Sequence, residues 1–129
     1  MINKTNIQWR KQLNTEQYRI TRKKGTEQAF SSPLNNEYSQ GDYLCICCKT
    51  PLFHSSTKFN SGTGWPSFFA PLDEKLISYH IDKKLFTSRD EVRCKNCNAH
   101  LGHKFSDGPR PTGLRYCLNG AALEFKSEQ

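Results

Sequence analysis

Apolar positions recur at helical spacing only near the start of the chain. Ile7, Trp9, Leu13, Tyr18 and Ile20 punctuate an otherwise polar stretch over residues 1–24, and Asn14 or Thr15 can cap a second short helix. This stretch reads as a helical arm that packs a few side chains onto a body spanning 25–129. From Gly25 the texture changes. Short apolar runs (YLCI, PLF, LISYHI, LFTS, EVRC, LRYCL and LEF) are broken by Gly, Pro, Asn and Asp. Many short strands with turn signals between them predict a mainly β (α+β) domain of antiparallel sheets, carried by one globular unit.

Composition adds a constraint. The 129 residues are 35% apolar, or about 41% with the 8 glycines included, below the roughly 45–50% of an ordinary globular domain. So thin a core benefits from a covalent or metal staple. No apolar run reaches the roughly 18 residues of a membrane span, and the N-terminus lacks the apolar segment of a signal peptide. A cytoplasmic, reducing setting is expected, where cysteines serve as metal ligands or nucleophiles more often than as disulfides. The net charge of +7 draws on RITRKKG at 19–25 and on scattered lysines. Without a continuous basic helix or an aromatic RNA-binding signature, solubility is the preferred reading. A basic binding module for nucleic acid or protein is the runner-up.

Four of the six cysteines form two pairs, Cys45-x-x-Cys48 and Cys94-x-x-Cys97. Each C-x-x-C turn sets two sulfurs about 3.5–4 Å apart on one side of a tight loop, and two such knuckles supply a tetrahedral four-thiolate shell that suits zinc. Between Cys48 and Cys94 lie 45 residues, far more than the roughly 15–20 of a compact zinc ribbon. A metal held here ties distant parts of one fold together. A redox-active pair would need a strand-to-helix context that neither knuckle shows. With four thiolates the shell is closed, so the zinc is expected to be structural. Cys47 reads as a packing residue or bystander thiol.

Cys117 stands apart. A spare cysteine can be a small buried hydrophobe, but its neighbours suggest more. If LRYCLN is a strand, alternation sets Arg115, Cys117 and Asn119 on one face and Tyr116 and Leu118 on the other. A cation, a thiol and an amide are costly to bury together unless they serve a site. A guanidinium lowers a thiol pKa, and Asn119 can donate to a substrate oxygen. His100 and His103 follow the second knuckle; acid–base work and polar packing are both open to them. Trp65, in the stiff NSGTGWPSF loop, is either a core plug or a pocket wall.

Taken together, SGTGWPSF, CICCKTPLF and RCKNCNAHLGHKFSDGPRPTGLRYCLNGAALEF closely resemble the methionine-R-sulfoxide reductases of the MsrB type. The resemblance runs from about Gly25 to Phe125. It implies two antiparallel sheets preceded by short helices, a structural zinc on the two knuckles, and Cys117 as the nucleophile that attacks the sulfoxide sulfur. It further implies His103 as proton donor, with His100 and Asn119 completing the polar side. Trp65 becomes the wall for the substrate methyl group, with Phe68 of the same loop beside it. Arg115 is assigned to stabilising the thiolate. Asp107 could orient Arg115 or a histidine, or simply shape the DGP turn. The product pair is methionine and a Cys117 sulfenic acid. Family members often read SGCGWPSF, with a resolving cysteine; here that position is Thr63, which cannot form a disulfide. Thioredoxin or another external thiol is therefore expected to reduce the sulfenic acid. The implied substrates are free or protein-bound methionine-R-sulfoxide, met by a monomer with no nucleic acid or membrane partner.

Overall fold

The computed structural model describes residues 3–84 and 87–128. Two short helices open the chain, α1 (Asn6–Gln12) and α2 (Thr15–Lys23). Each is set by a capping box. Thr5 Oγ1 accepts from the Gln8 N–H while Gln8 Oε1 accepts from the Thr5 N–H, and Asn14 and Gln17 repeat the exchange. Lys24 closes α2 in the left-handed region at φ 58°. Trp9, Leu13, Tyr18 and Ile20 are buried as the helical spacing predicts. Ile7 is not: it is 67% exposed, because it lies on the turn of α1 opposite the face that Trp9 anchors.

Nine strands follow among the described residues. β1 (Gly41–Cys45), β2 (Pro51–His54) and β9 (Leu123–Ser127) form a three-stranded sheet in the order β2-β1-β9. β3 (Lys58–Phe59), β4 (Ser67–Phe68), β5 (Ile77–Lys84), β6 (Thr87–Cys94), β7 (His100–Phe105) and β8 (Arg115–Leu118) form a six-stranded sheet in the order β3-β4-β8-β7-β6-β5. Every pairing is antiparallel, so the mainly β reading with two antiparallel sheets and two leading helices holds. Of the LFTS run, Leu85 and Phe86 lie outside the described residues, as do Met1, Ile2 and Gln129. No helix among the described residues is long and apolar enough to cross a membrane.

The two sheets meet through aromatic rings. Tyr43 of β1 and Phe53 of β2 stand 5.0 and 4.8 Å from the Phe68 ring of β4, and Phe53 is 5.6 Å from Tyr116 of β8. All four side chains are fully buried. Such pairs add roughly 0.5–1.5 kcal/mol each beyond the area they bury. Phe68, expected beside the substrate, is therefore a core residue. The β4–β8 register pairs it with Tyr116 on the inner face of the sheet, away from the open side.

Candidate active site

The knuckles occupy the ends of β1 and β6. In each, a backbone amide just past the second cysteine closes the turn: Lys49 N–H donates to Cys45 O at 2.8 Å and Asn98 N–H to Cys94 O at 2.7 Å. Lys49 and Asn98 both take φ 65°, the left-handed step that turns the chain back after the second cysteine. The four sulfurs of Cys45, Cys48, Cys94 and Cys97 all lie within 4.8 Å of one another. Cys45–Cys97 and Cys48–Cys94 approach to 3.6 Å. Metal–sulfur bonds of about 2.3 Å in a tetrahedron require sulfurs about 3.8 Å apart, so the cluster could hold a metal ion. The helices dock onto the same structure. Gln12 Nε2 donates to Cys47 O at 2.5 Å, and an Arg22 terminal nitrogen donates to Cys97 O at 3.0 Å. Cys47 itself is 3% exposed beside the knuckles.

On β8, alternation is as expected. Tyr116 and Leu118 are fully buried, while Arg115 and Cys117 keep partial exposure on the other face. The register carries this face across the sheet, pairing Cys117 with His103 of β7 and His103 with Glu91 of β6. Gly102 makes the close pairing possible: a Cβ there would come within 2.0 Å of the Cys117 carbonyl oxygen. Two histidines three apart on a regular strand would face opposite ways. A bulge removes the conflict, since Arg93 pairs with His100 and Val92 with Gly102, leaving Leu101 as the extra residue. The rings of His100 and His103 consequently stand 5.5 Å apart on one face.

A cavity of about 220 Å³ opens on this face, lined by Cys117, His103, Trp65, Thr63, Arg115, Asn119, Phe105 and Arg89, among others. It is smaller than the roughly 300–1,000 Å³ of sites for drug-sized ligands. One amino-acid side chain is the natural scale of its occupant. Thus Cys117, His103, Trp65, Arg115 and Asn119 converge, and Trp65 is a pocket wall. Its indole Nε1–H donates to Glu27 O at 3.0 Å. His100 lies behind the cavity, 3% exposed, with Nδ1 at 2.7 Å from Glu91 Oε2. Burial pushes its imidazole pKa down, against the pull of Glu91.

Several carboxylates hold the site, and nothing local in the chain marks most of them. Asp82 Oδ2 is 2.9 Å from His103 Nε2. Glu91, 1% exposed, accepts two bonds of 2.9 Å from Arg93. Burial pushes the Glu91 carboxyl up, but the bonds from Arg93 and His100 outweigh it and hold the pKa at about 2. Asp107 grips Arg115 at 2.9 and 3.2 Å, so its contact is with the arginine, whose guanidinium lies 4.4 Å over the Phe105 ring. Asp82 sits 35 residues before Cys117 and Glu27 90 before it, so only tertiary contact could find them.

Burial and Arg115 act in opposite directions on Cys117. Arg115 does pull the Cys117 pKa down, but burial outweighs it, and the thiol titrates above its ordinary value. Alkylation of Cys117 by iodoacetamide is expected to titrate with a midpoint above the ordinary thiol value of 9.0. In Arg115→Met the midpoint moves further up, and each pH unit it rises slows alkylation at pH 8 about tenfold. An unchanged midpoint would remove Arg115 from any electrostatic role.

Comparison with known proteins agrees with this geometry. Residues 13–127 match the SelR domain. The chain is 50% identical to the peptide methionine sulfoxide reductase MsrB of Acinetobacter baumannii over 128 residues, covering 99% of this chain and 92% of that protein. It is also 50% identical to the protein of that name from Hahella chejuensis over 126 residues (98% and 91%), and 49% identical to that of Acinetobacter baylyi over 128 (99% and 92%). Matches of this extent leave one conclusion: the chain belongs to the SelR-domain family of peptide methionine sulfoxide reductases.

Proposed function

We propose that this enzyme reduces methionine-R-sulfoxide, free or within proteins, to methionine, with Cys117 as nucleophile. The observation that carries the proposal is the small cavity in which a half-buried thiol, an imidazole, an amide and an indole wall converge. The sulfoxide sulfur is a soft electrophile, attacked by the Cys117 thiolate. The S–O bond breaks only if the oxygen gains a proton. His103, held at Nε2 by Asp82, has its second ring nitrogen to take the proton that Cys117 gives up and pass it to the oxygen. Asn119 has one Nδ2 hydrogen engaged with Leu101 O and a second to steady the oxygen. The attack forms a sulfur–sulfur bond, and the oxygen, once protonated, leaves as water. Water then adds to the Cys117 sulfur and expels methionine, returning a proton. Sulfoxide and thiol thus give methionine, reduced by two electrons, and a Cys117 sulfenic acid, oxidised by two.

Chirality follows from the two walls. With the methyl group against Trp65 and the oxygen toward His103 and Asn119, one epimer places its main chain at the cavity mouth and the other drives it into the wall. A site that pairs polar groups with a specific oxygen rejects a misplaced one strongly.

The four knuckle thiolates suit zinc by donor type and spacing, and they leave no ligand position for substrate. Zinc bound there would supply folding free energy and no chemistry at sulfur. Thr63 lines the cavity beside Cys117, and Cys47 is buried among the knuckles, so the sulfenic acid waits for an external thiol such as thioredoxin.

The test is a single turnover without reductant. One equivalent of methionine per chain should form, and dimedone should then label Cys117 alone. Label on Cys47, or methionine formed without any sulfenic acid, would overturn the mechanism.

A further inference from the structure

Glu27 is joined to both walls of the cavity, although its side chain does not line it. The residue is 2% exposed. Its carboxylate accepts from the Gly120 N–H through Oε2 and from the Ala121 N–H through Oε1, both at 2.9 Å. Its own N–H donates to Asn119 Oδ1 at 2.9 Å, and its carbonyl accepts from the Trp65 indole N–H at 3.0 Å. One residue therefore holds the indole wall, the amide that follows Cys117 by two positions, and the two peptide groups by which the chain leaves β8.

We propose that Glu27 is a positioning residue for sulfoxide reduction, setting the gap between Trp65 and the Asn119 side of the pocket and hence the choice between epimers. This rests on the reading of the chain as a sulfoxide reductase. The plainer alternative is that Glu27 merely caps the turn Gly120–Ala122. That turn does lack a side-chain cap of its own, Asn119 making no such bond. A cap alone, however, could be supplied locally by a serine, threonine or aspartate at position 119. Here residue 119 points its amide oxygen at Glu27 and its Nδ2 at Leu101, and the carboxylate comes from 93 residues upstream at the price of full burial. Burial indeed pushes the Glu27 carboxyl pKa up, against the two backbone donors. Gly120 itself is set by another neighbour: a Cβ there would meet the Ser32 hydroxyl at 1.9 Å, whereas its 3.5 Å approach to Glu27 Oε2 would be ordinary contact.

The geometry also says why both oxygens matter. A glutamine accepts from one of the two N–H groups and turns an NH₂ toward the other, two donors facing each other. An aspartate keeps both acceptors on a shorter arm. Misplacement of a pocket wall by about 1 Å costs on the order of 10²-fold in rate.

Glu27→Gln and Glu27→Asp, in the full metal-loaded chain, test the idea with three readouts. The first is kcat and KM for separated R and S epimers of a methionine sulfoxide peptide with dithiothreitol. Glu27→Gln is expected to lose about 10- to 100-fold in kcat/KM for the R epimer, and the R-over-S preference should narrow by at least about tenfold. Glu27→Asp should recover part of both. The second is the alkylation rate of Cys117, expected to be no slower than wild type in Glu27→Gln, because the carboxylate does not touch the thiol and its charge holds the thiol pKa up. The third is exchange of the two indole N–H signals by NMR, with that of Trp65 quickening in Glu27→Gln and that of Trp9 unmoved. Activity and melting temperature falling together, with the epimer preference and the Trp65 signal unchanged, would reduce Glu27 to a structural cap. If the wild type itself reduces neither epimer, the reductase reading falls, while the Trp65 signal still decides whether Glu27 holds the wall.

Discussion

Cys117→Ser is expected to lose sulfoxide reduction by on the order of 10⁴-fold or more, with melting temperature and metal content unchanged. The reaction needs a group that is nucleophilic toward sulfur and able to carry away the oxygen. A serine hydroxyl is a poor nucleophile at neutral pH and has no sulfenic acid to form. Little else should change, because the strand is anchored from its other face: Tyr116 and Leu118 are fully buried, and the Tyr116 hydroxyl is bonded to Tyr79 and Glu74 at 2.8 and 3.1 Å. The serine keeps the size and direction of the thiol. Turnover assays with dithiothreitol, paired with thermal melts, check both halves of the expectation. Activity surviving in the serine variant would move the nucleophile elsewhere, with Cys47 first in line.

Loss of a metal ion held by the knuckles is expected to be equally severe, by a different route. The knuckles end β1 in one sheet and β6 in the other, and the helices are tied to them through Cys47 O and Cys97 O. A metal there would staple both sheets and both helices around a composition poor in apolar residues. Structural zinc in small domains contributes folding free energy outright. For Cys94→Ser, or for the wild type stripped by a chelator, a loss of even about 4 kcal/mol would lower the melting temperature by on the order of 15 °C. Activity should fall with the fold, since the strand bearing His100 and His103 starts three residues past Cys97. The check is a thermal melt beside metal analysis of the same sample. A chelated protein that is metal-free, melts normally and stays active would show that the four thiols need no ion.

Where the chain announced its structure, it did so through local rules. Asn14, one of the two cap candidates beside Thr15, marked the start of α2 because helix capping is local; the structure shows it in a box with Gln17. The knuckles were legible because the C-x-x-C turn is local, even though their meeting is not. The facing of Arg115 and Cys117 against Tyr116 and Leu118 followed from a period of two. The rest was written in long-range contacts. β7 was hidden because Gly102 breaks its apolar pattern, although that glycine is what lets β7 approach β8. β3 and β4 are two residues each, too short for any periodicity. Phe68 looked like a pocket residue because Trp65 is one, yet three positions along, the chain has entered β4 and turned inward. The bulge at Leu101 that aligns His100 with His103 has no local signature. Nor could the sequence weigh burial against Arg115 at Cys117, because burial is a property of the assembled fold. Glu27 and Asp82 were missed for the same reason.

The most direct measurement is turnover of the separated R and S epimers of a methionine sulfoxide peptide by the wild-type, metal-loaded protein with dithiothreitol. The expected result is steady reduction of the R epimer and little or none of the S epimer, with methionine formed in step with oxidised dithiothreitol. Equal turnover of both epimers would contradict the two-walled pocket. Turnover of neither, in a sample with a cooperative melt and a full complement of metal, would contradict the assignment of Cys117 and its neighbours as a sulfoxide-reducing site.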